Sequence, residues 1–235
     1  MGTCKDSITK KQLSIIESYE SKKELTSKQK GELTRLKRKR DNPPAFDLSE
    51  GAKTHIRNIV KGIVYAFRKN VSSAAMEKGN VCEDDSIELY NYVHFTKYKK
   101  NEISKDNDFI KGTCDVWVKG IKIQDYKTSK HKATFPVLPD EIDIGPYEWQ
   151  GRGYMMLYDE DKFELIYCLV QTPDELIPDW EDYELHDVED IEPELRITMI
   201  KFERCKEKEE LIKHKVAEAR KYANWYYLEI LKKYE

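Results

Sequence analysis

No stretch of these 235 residues is apolar for long enough to cross a membrane, and no hydrophobic leader of the secretory type is expected, so the chain reads as cytoplasmic with no membrane partner. Cysteine is scarce. Cys4, Cys82, Cys114, Cys168 and Cys205 are odd in number and scattered without a C-x-x-C pair, which indicates neither a disulfide framework nor a zinc site. The five histidines, His55, His94, His131, His186 and His214, form no local motif and are assigned no role. No G-x-x-x-x-G-K-[ST] occurs, so a P-loop is excluded. A strong overall charge is also missing, the net being −3. The distribution is uneven, however. Residues 1–42 hold 12 Lys and Arg against 6 Asp and Glu, with the excess peaking at Arg35-Leu36-Lys37-Arg38-Lys39-Arg40. Such a run is a solvated face or tail, or it tracks a phosphate backbone.

The pattern along the chain gives the organisation. Lys10 to Arg40 reads as two short helices broken near Thr26-Ser27, and Asn42-Pro43-Pro44 reads as a linker. Residues 1–44 are therefore expected to form a basic helical extension, and residues 45–235 the main domain. Ser49 suits the N-cap of the next helix, where Ile56, Ile59, Val60, Ile63 and Val64 recur at helical spacing. Lys162 to Val170 is nearly continuously apolar, as in a central strand buried on both faces. Residues 173–195 are acidic and loop-like, and are expected on an outer edge. A long helix from about Glu203 to Tyr234 carries an expected buried stripe of Ile212, Val216, Ala219, Ala223, Tyr227 and Ile230.

The most informative run is Gly112 to Thr128, followed by Gln150 and Tyr154. Val116-Trp117-Val118 and Ile121 to Lys127 are β-branched and aromatic runs around Gly120, a hairpin signature. Asp125 and Lys127 then point to one face, with Ile121 and Ile123 beside them. Asp115 shares that face only if the loop is odd in length. A three-residue loop, Lys119 to Ile121, pairs Asp115 with Asp125 and lets Gly120 take positive φ; a bulge would serve as well. Gln150 and Tyr154 are spaced i, i+4 on a helix that starts near Gly145-Pro146. The plain reading is a structural Asp–Lys pair at a strand end and a Gln merely solvated on a helix packed by Trp149, Met156 and Leu157. The functional reading is metal-dependent phosphodiester cleavage, since carboxylates hold a hard divalent cation and the cation activates water.

Taken together, Gly112-Thr113-Cys114-Asp115, Asp125-Tyr126-Lys127 and Gln150 to Tyr154 resemble the PD-(D/E)XK nuclease superfamily. Within it they resemble the lambda-exonuclease/YqaJ-like and RecB-like phage recombination exonucleases. Glu83, after Gly79, matches the upstream helical acid of that pattern. Asp125 stands where many relatives carry Glu. The resemblance spans about residues 45 to 171. It implies an α/β fold, of mixed α+β sheet type, with a restriction-endonuclease-like core of four or five strands flanked by helices. It implies Mg²⁺, or Mn²⁺ in its place, held by Glu83, Asp115, Asp125 and the backbone carbonyl of Tyr126. Lys127 would orient or deprotonate the attacking water, and Gln150 would position water or nucleotide. Thr128, Arg152 and Tyr154 would contact DNA, while Ser49 and Lys53 would meet a 5′-phosphate, the helix cap being the first reading of Ser49. The implied activity is 5′→3′ exonuclease action on double-stranded DNA in phage recombination or DNA processing, in the host-cell cytoplasm if a phage encodes it. A single-strand annealing protein is the implied partner and a homotrimer the implied assembly. A structure- or sequence-specific endonuclease and an inactive nucleic-acid-binding module on the same fold are the alternatives. The grouped C-terminal cysteines of iron–sulfur RecB-like nucleases are missing.

Overall fold

The computed structural model describes residues 7–68, 70 and 72–233. Its described residues form two compact units, one of residues up to Arg68 with those from Lys213 onward, the other of residues 70–212. The division expected at residue 44 does not occur there.

In the first unit, α1 (Lys10–Glu20) and α2 (Ser27–Asp41) follow N-caps Thr9 and Thr26, each completing a capping box with the Gln three residues on. The break foreseen near Thr26-Ser27 is thus a helix start. The stretch after Pro44 is anchored rather than free. Leu48 is fully buried with Ala52, Ile56 and Val60 of α3 (Glu50–Val64) and with Tyr222 of α7 (Lys206–Leu231). Asp47 accepts Lys215 Nζ at 2.7 Å, and its own N–H donates to Glu218 at 2.9 Å. These contacts join Asp47, Leu48 and α3 to the C-terminal helix, which is why the boundary falls later. Along α7 the most buried positions are Glu209, Lys215, Glu218 and Tyr222, and Tyr227, expected in the stripe, is 40 % exposed.

The second unit carries the mixed sheet. A short ladder of β1 (Lys105–Asp106) and β2 (Lys111–Gly112) precedes it. The main sheet has the order β3-β4-β5-β6, with β3 at Val116–Val118, β4 at Lys122–Thr128, β5 at Lys162–Cys168 and β6 at Ile197–Glu203. β4 and β5 are parallel and central, and the other two pairings are antiparallel. The α4 helix (Ala74–Val81) and α5 (Glu83–His94) are separated at Cys82. On one face α5 packs Ile87, Leu89 and Tyr90 against Tyr126, Ile166 and Cys168. On the other, α6 (Gly145–Tyr158) packs Met155, Leu157 and Tyr158 against Ile123, Phe163 and Leu165. The α6 helix connects the parallel strands, as a crossover must. Its Gly151 brings it close: a Cβ there would meet Phe202 at 2.7 Å and Phe163 at 2.8 Å. Residues 173–195 contain only short 3-10 turns. Among the described residues no helix is long and apolar enough to cross a membrane.

Candidate active site

The hairpin register settles the geometry of the acids. Val116 pairs with Gln124, Trp117 with Ile123 and Val118 with Lys122. Continued one step, this sets Asp115 opposite Asp125 on one face. The loop is Lys119 to Ile121, and Gly120 sits in it at φ 75°. The turn closes by the Ile121 N–H bonding Val118 O at 2.9 Å, and Glu160 accepts the Gly120 N–H at 2.7 Å. Ile121 is thereby placed in the loop, 58 % exposed, and does not share the buried row with Ile123.

Each acid is positioned by a different neighbour. Asp115 Oδ2 accepts the Tyr126 N–H at 2.6 Å. Asp125 is 1 % exposed; its Oδ1 accepts Gln150 Nε2 at 3.2 Å, and its Oδ2 lies 2.6 Å from Lys127 Nζ. That ion pair is close but not aligned as a hydrogen bond, so Oδ2 remains a buried oxygen without a hydrogen-bonded donor. Gln150 Nε2 also reaches the Tyr154 hydroxyl at 3.3 Å, so the Gln-x-x-x-Tyr pair acts as one bracket on Asp125. The Lys127 ammonium lies 5.1 Å from the centre of the Tyr147 ring. Glu83 is in the first turn of α5 and joins Asp115, Tyr126, Lys127 and Thr128 in the wall of a cleft of about 390 Å³. Tyr147 and Tyr167 also line it, near the C-terminal ends of the parallel strands, as do Ala75, Met76, Gly79 and Asn80 of α4.

Burial raises Asp115 to about 7, helped by the charges of Asp125 and Glu83 and opposed by the Tyr126 N–H and Lys127. Burial likewise raises Asp125, against the pull of Lys127. Lys127 would be lowered by burial, but the Asp125 carboxylate outweighs this and holds it above the usual lysine range. A half-buried and a buried acid that both disfavour their own charge, with one carboxylate oxygen lacking a hydrogen-bonded donor, are chemically suited to a hard, oxygen-seeking cation. Among the described residues no three His, Cys, Asp or Glu side chains are drawn together as a finished metal cage.

The other expected residues have partners of their own. Thr128 shares a hydrogen bond with Ser86 at 2.9 Å. Arg152 is 9 % exposed, bonded to Glu203 O and to Glu148 at 3.3 Å and stacked on Phe202, so its guanidinium is engaged within the fold. Ser49 and Lys53 belong to the other unit. There Ser49 Oγ caps α3 through the Ala52 N–H at 3.2 Å, and Lys53 pairs with Glu50 at 2.8 Å. Tyr147, which lines the cleft, and Lys100, which does not, escaped the sequence reading. Tyr147 could have been found, being three residues before Gln150 on the same helical face. Lys100, which pairs with Glu83 at 3.1 Å, comes from a loop with no motif around it.

No family model matches the chain, and no curated protein matches its sequence. Solved structures do match. A phage-related exonuclease from Haemophilus somnus 129PT is 29 % identical, with a TM-score of 0.71 over 78 % of this chain and 84 % of that one. LHK-Exo in complex with dAMP gives 13 % identity and a TM-score of 0.55, and the alkaline exonuclease LHK-Exo from Laribacter hongkongensis gives 12 % and 0.52. Both cover 77 % of this chain and 84 % of theirs, and at that identity they speak for the fold alone. By this structural match the chain resembles the lambda-exonuclease-like PD-(D/E)XK nucleases.

Proposed function

We propose that the chain is a divalent-metal-dependent deoxyribonuclease that degrades double-stranded DNA from its ends in the 5′→3′ direction. The observation that carries this is the odd-length hairpin loop, which sets Asp115 opposite Asp125 while Gln150 and Lys127 attend the same carboxylate. The likeness to a phage-related exonuclease supports the end-directed mode.

Asp115, Asp125, Glu83 and the Tyr126 carbonyl are the residues that would hold Mg²⁺ or Mn²⁺. The bound ion would polarise the scissile phosphate and make its water a better nucleophile. Gln150 holds one oxygen of the Asp125 carboxylate, and Tyr154 holds Gln150 in turn. Lys127 brings a positive charge beside Asp125, where it orients the water and offsets charge developing on the phosphate. The partly buried rings of Tyr147 and Tyr167 flank the same space and exclude water from it. In this reading the product is duplex with 3′ single-stranded tails, passed to an annealing protein, and a homotrimer closes around the DNA for processive action.

The experiment is digestion of linear and covalently closed duplex DNA in Mg²⁺. Loss of the linear form alone supports the reading, and cutting of the closed circle turns it towards an endonuclease. Comparing labelled ends with and without 5′-phosphate tests the direction.

A further inference from the structure

Lys100 Nζ stands 3.1 Å from the Glu83 carboxylate, although nothing in the strand-borne motif calls for a lysine there. The loop that carries it is pinned at both ends. Asn91 Nδ2 donates to Tyr98 O at 2.8 Å, and the Tyr98 N–H donates back to Asn91 Oδ1 at 2.8 Å. The Thr96 hydroxyl adds a third bond to Asn91 Oδ1 at 2.7 Å. At the far end the Asn101 N–H donates to Asp115 O at 2.7 Å, and its side chain donates to Cys114 O at 3.0 Å. The residue next to Lys100 is therefore bonded to the backbone of the first strand acid. Lys100 is held above its usual range by its bond to Glu83 first, and the charges of Asp84 and Asp115 add to this. Its side chain is 45 % exposed on a four-carbon stem, so the ammonium can leave Glu83 for solvent without disturbing a packed core.

One carboxylate cannot give full attraction to two cations at once, because like charges a few ångströms apart repel. Resting on the nuclease reading, we infer that Lys100 is a built-in rival of the metal at Glu83: its ammonium and the divalent ion exclude each other there, and the protein's metal affinity is set below what its acids alone would give. Lys100 is a positioning residue in this scheme, acting through Glu83.

The test is calorimetric titration of the full chain with Mn²⁺ and no DNA present, comparing wild type with Lys100→Gln, Lys100→Arg and the same changes in a Glu83→Gln background. Lys100→Gln should bind Mn²⁺ about tenfold more tightly, a shift of about 1.4 kcal/mol. Lys100→Arg should stay near wild type. In the Glu83→Gln background, Lys100→Gln should make little difference, since the coupling runs through the lost carboxylate. Equal Mn²⁺ affinity in wild type and Lys100→Gln overturns the inference and leaves the nuclease reading standing. Tightening that persists undiminished without Glu83 also overturns it, reducing the effect to general charge. No Mn²⁺ binding by any of the proteins overturns both.

Discussion

Asp115 Oδ2 takes the backbone N–H of Tyr126 at 2.6 Å, so the first acid is fastened to the strand that carries the second. The peptide that donates this bond follows Asp125 directly. Any shift of register by one residue would send the two carboxylates to opposite faces of the sheet.

Asp115→Ala and Lys127→Ala should each lower cleavage by about 10²–10³-fold or more, by removing charge placed where the reaction develops it. The fold should persist in Asp115→Ala, because burial already disfavours a charged Asp115. Turnover measured beside circular dichroism separates the two effects. Near-wild-type turnover in either variant would sink the assignment.

Gln150→Leu keeps the volume of the side chain and deletes its bonds to Asp125 and Tyr154. Cleavage should fall about 10- to 100-fold with the melting temperature changed little. A fall in stability equal to that of a core mutation would make Gln150 a packing residue instead.

Gly151→Ala should destabilise, although alanine favours helices by about 1 kcal/mol. The new Cβ would stand 2.8 Å from Phe163, which is fully buried and cannot yield. Overpacking of this kind costs about 1–3 kcal/mol and wins. Urea unfolding gives the sign.

Much of the site was legible because its signals are local. Gly120 marked the turn, alternation put Asp125 and Lys127 together, and i, i+4 spacing joined Gln150 to Tyr154. The same helical geometry explains Arg152: at two residues from Gln150 it points away, into Glu148 and Phe202. The β6 strand was not read, because an edge strand with half-buried residues gives a weak alternation after an acidic loop. The break at Cys82 and the late unit boundary depend on tertiary contacts. Leu48 and Asp47 are tied to residues some 170 positions away, which a local pattern cannot show.

Lys78 offers a pH test of the second unit. It is 1 % exposed, donates to Val170 O at 2.9 Å and Lys130 O at 3.1 Å, and burial pushes it down to about 8. The unfolded chain, near 10.4, binds more protons between these values, so stability should rise as pH climbs from about 8 to about 10.4. Below about 8 the penalty is fully present. Lys78→Met should flatten that slope, by at most about 3 kcal/mol in all. A slope left unchanged in the variant would show that the ammonium is not its source.

The most direct test of the central claim is release of nucleotides from an end-labelled linear duplex in Mg²⁺ by wild type and by Asp125→Asn, a change that keeps the shape of the carboxylate and removes its charge. The account predicts steady release by wild type, none on adding EDTA, and release by Asp125→Asn lowered by about 10²-fold or more. Equal release by Asp125→Asn, or none by wild type, would contradict it.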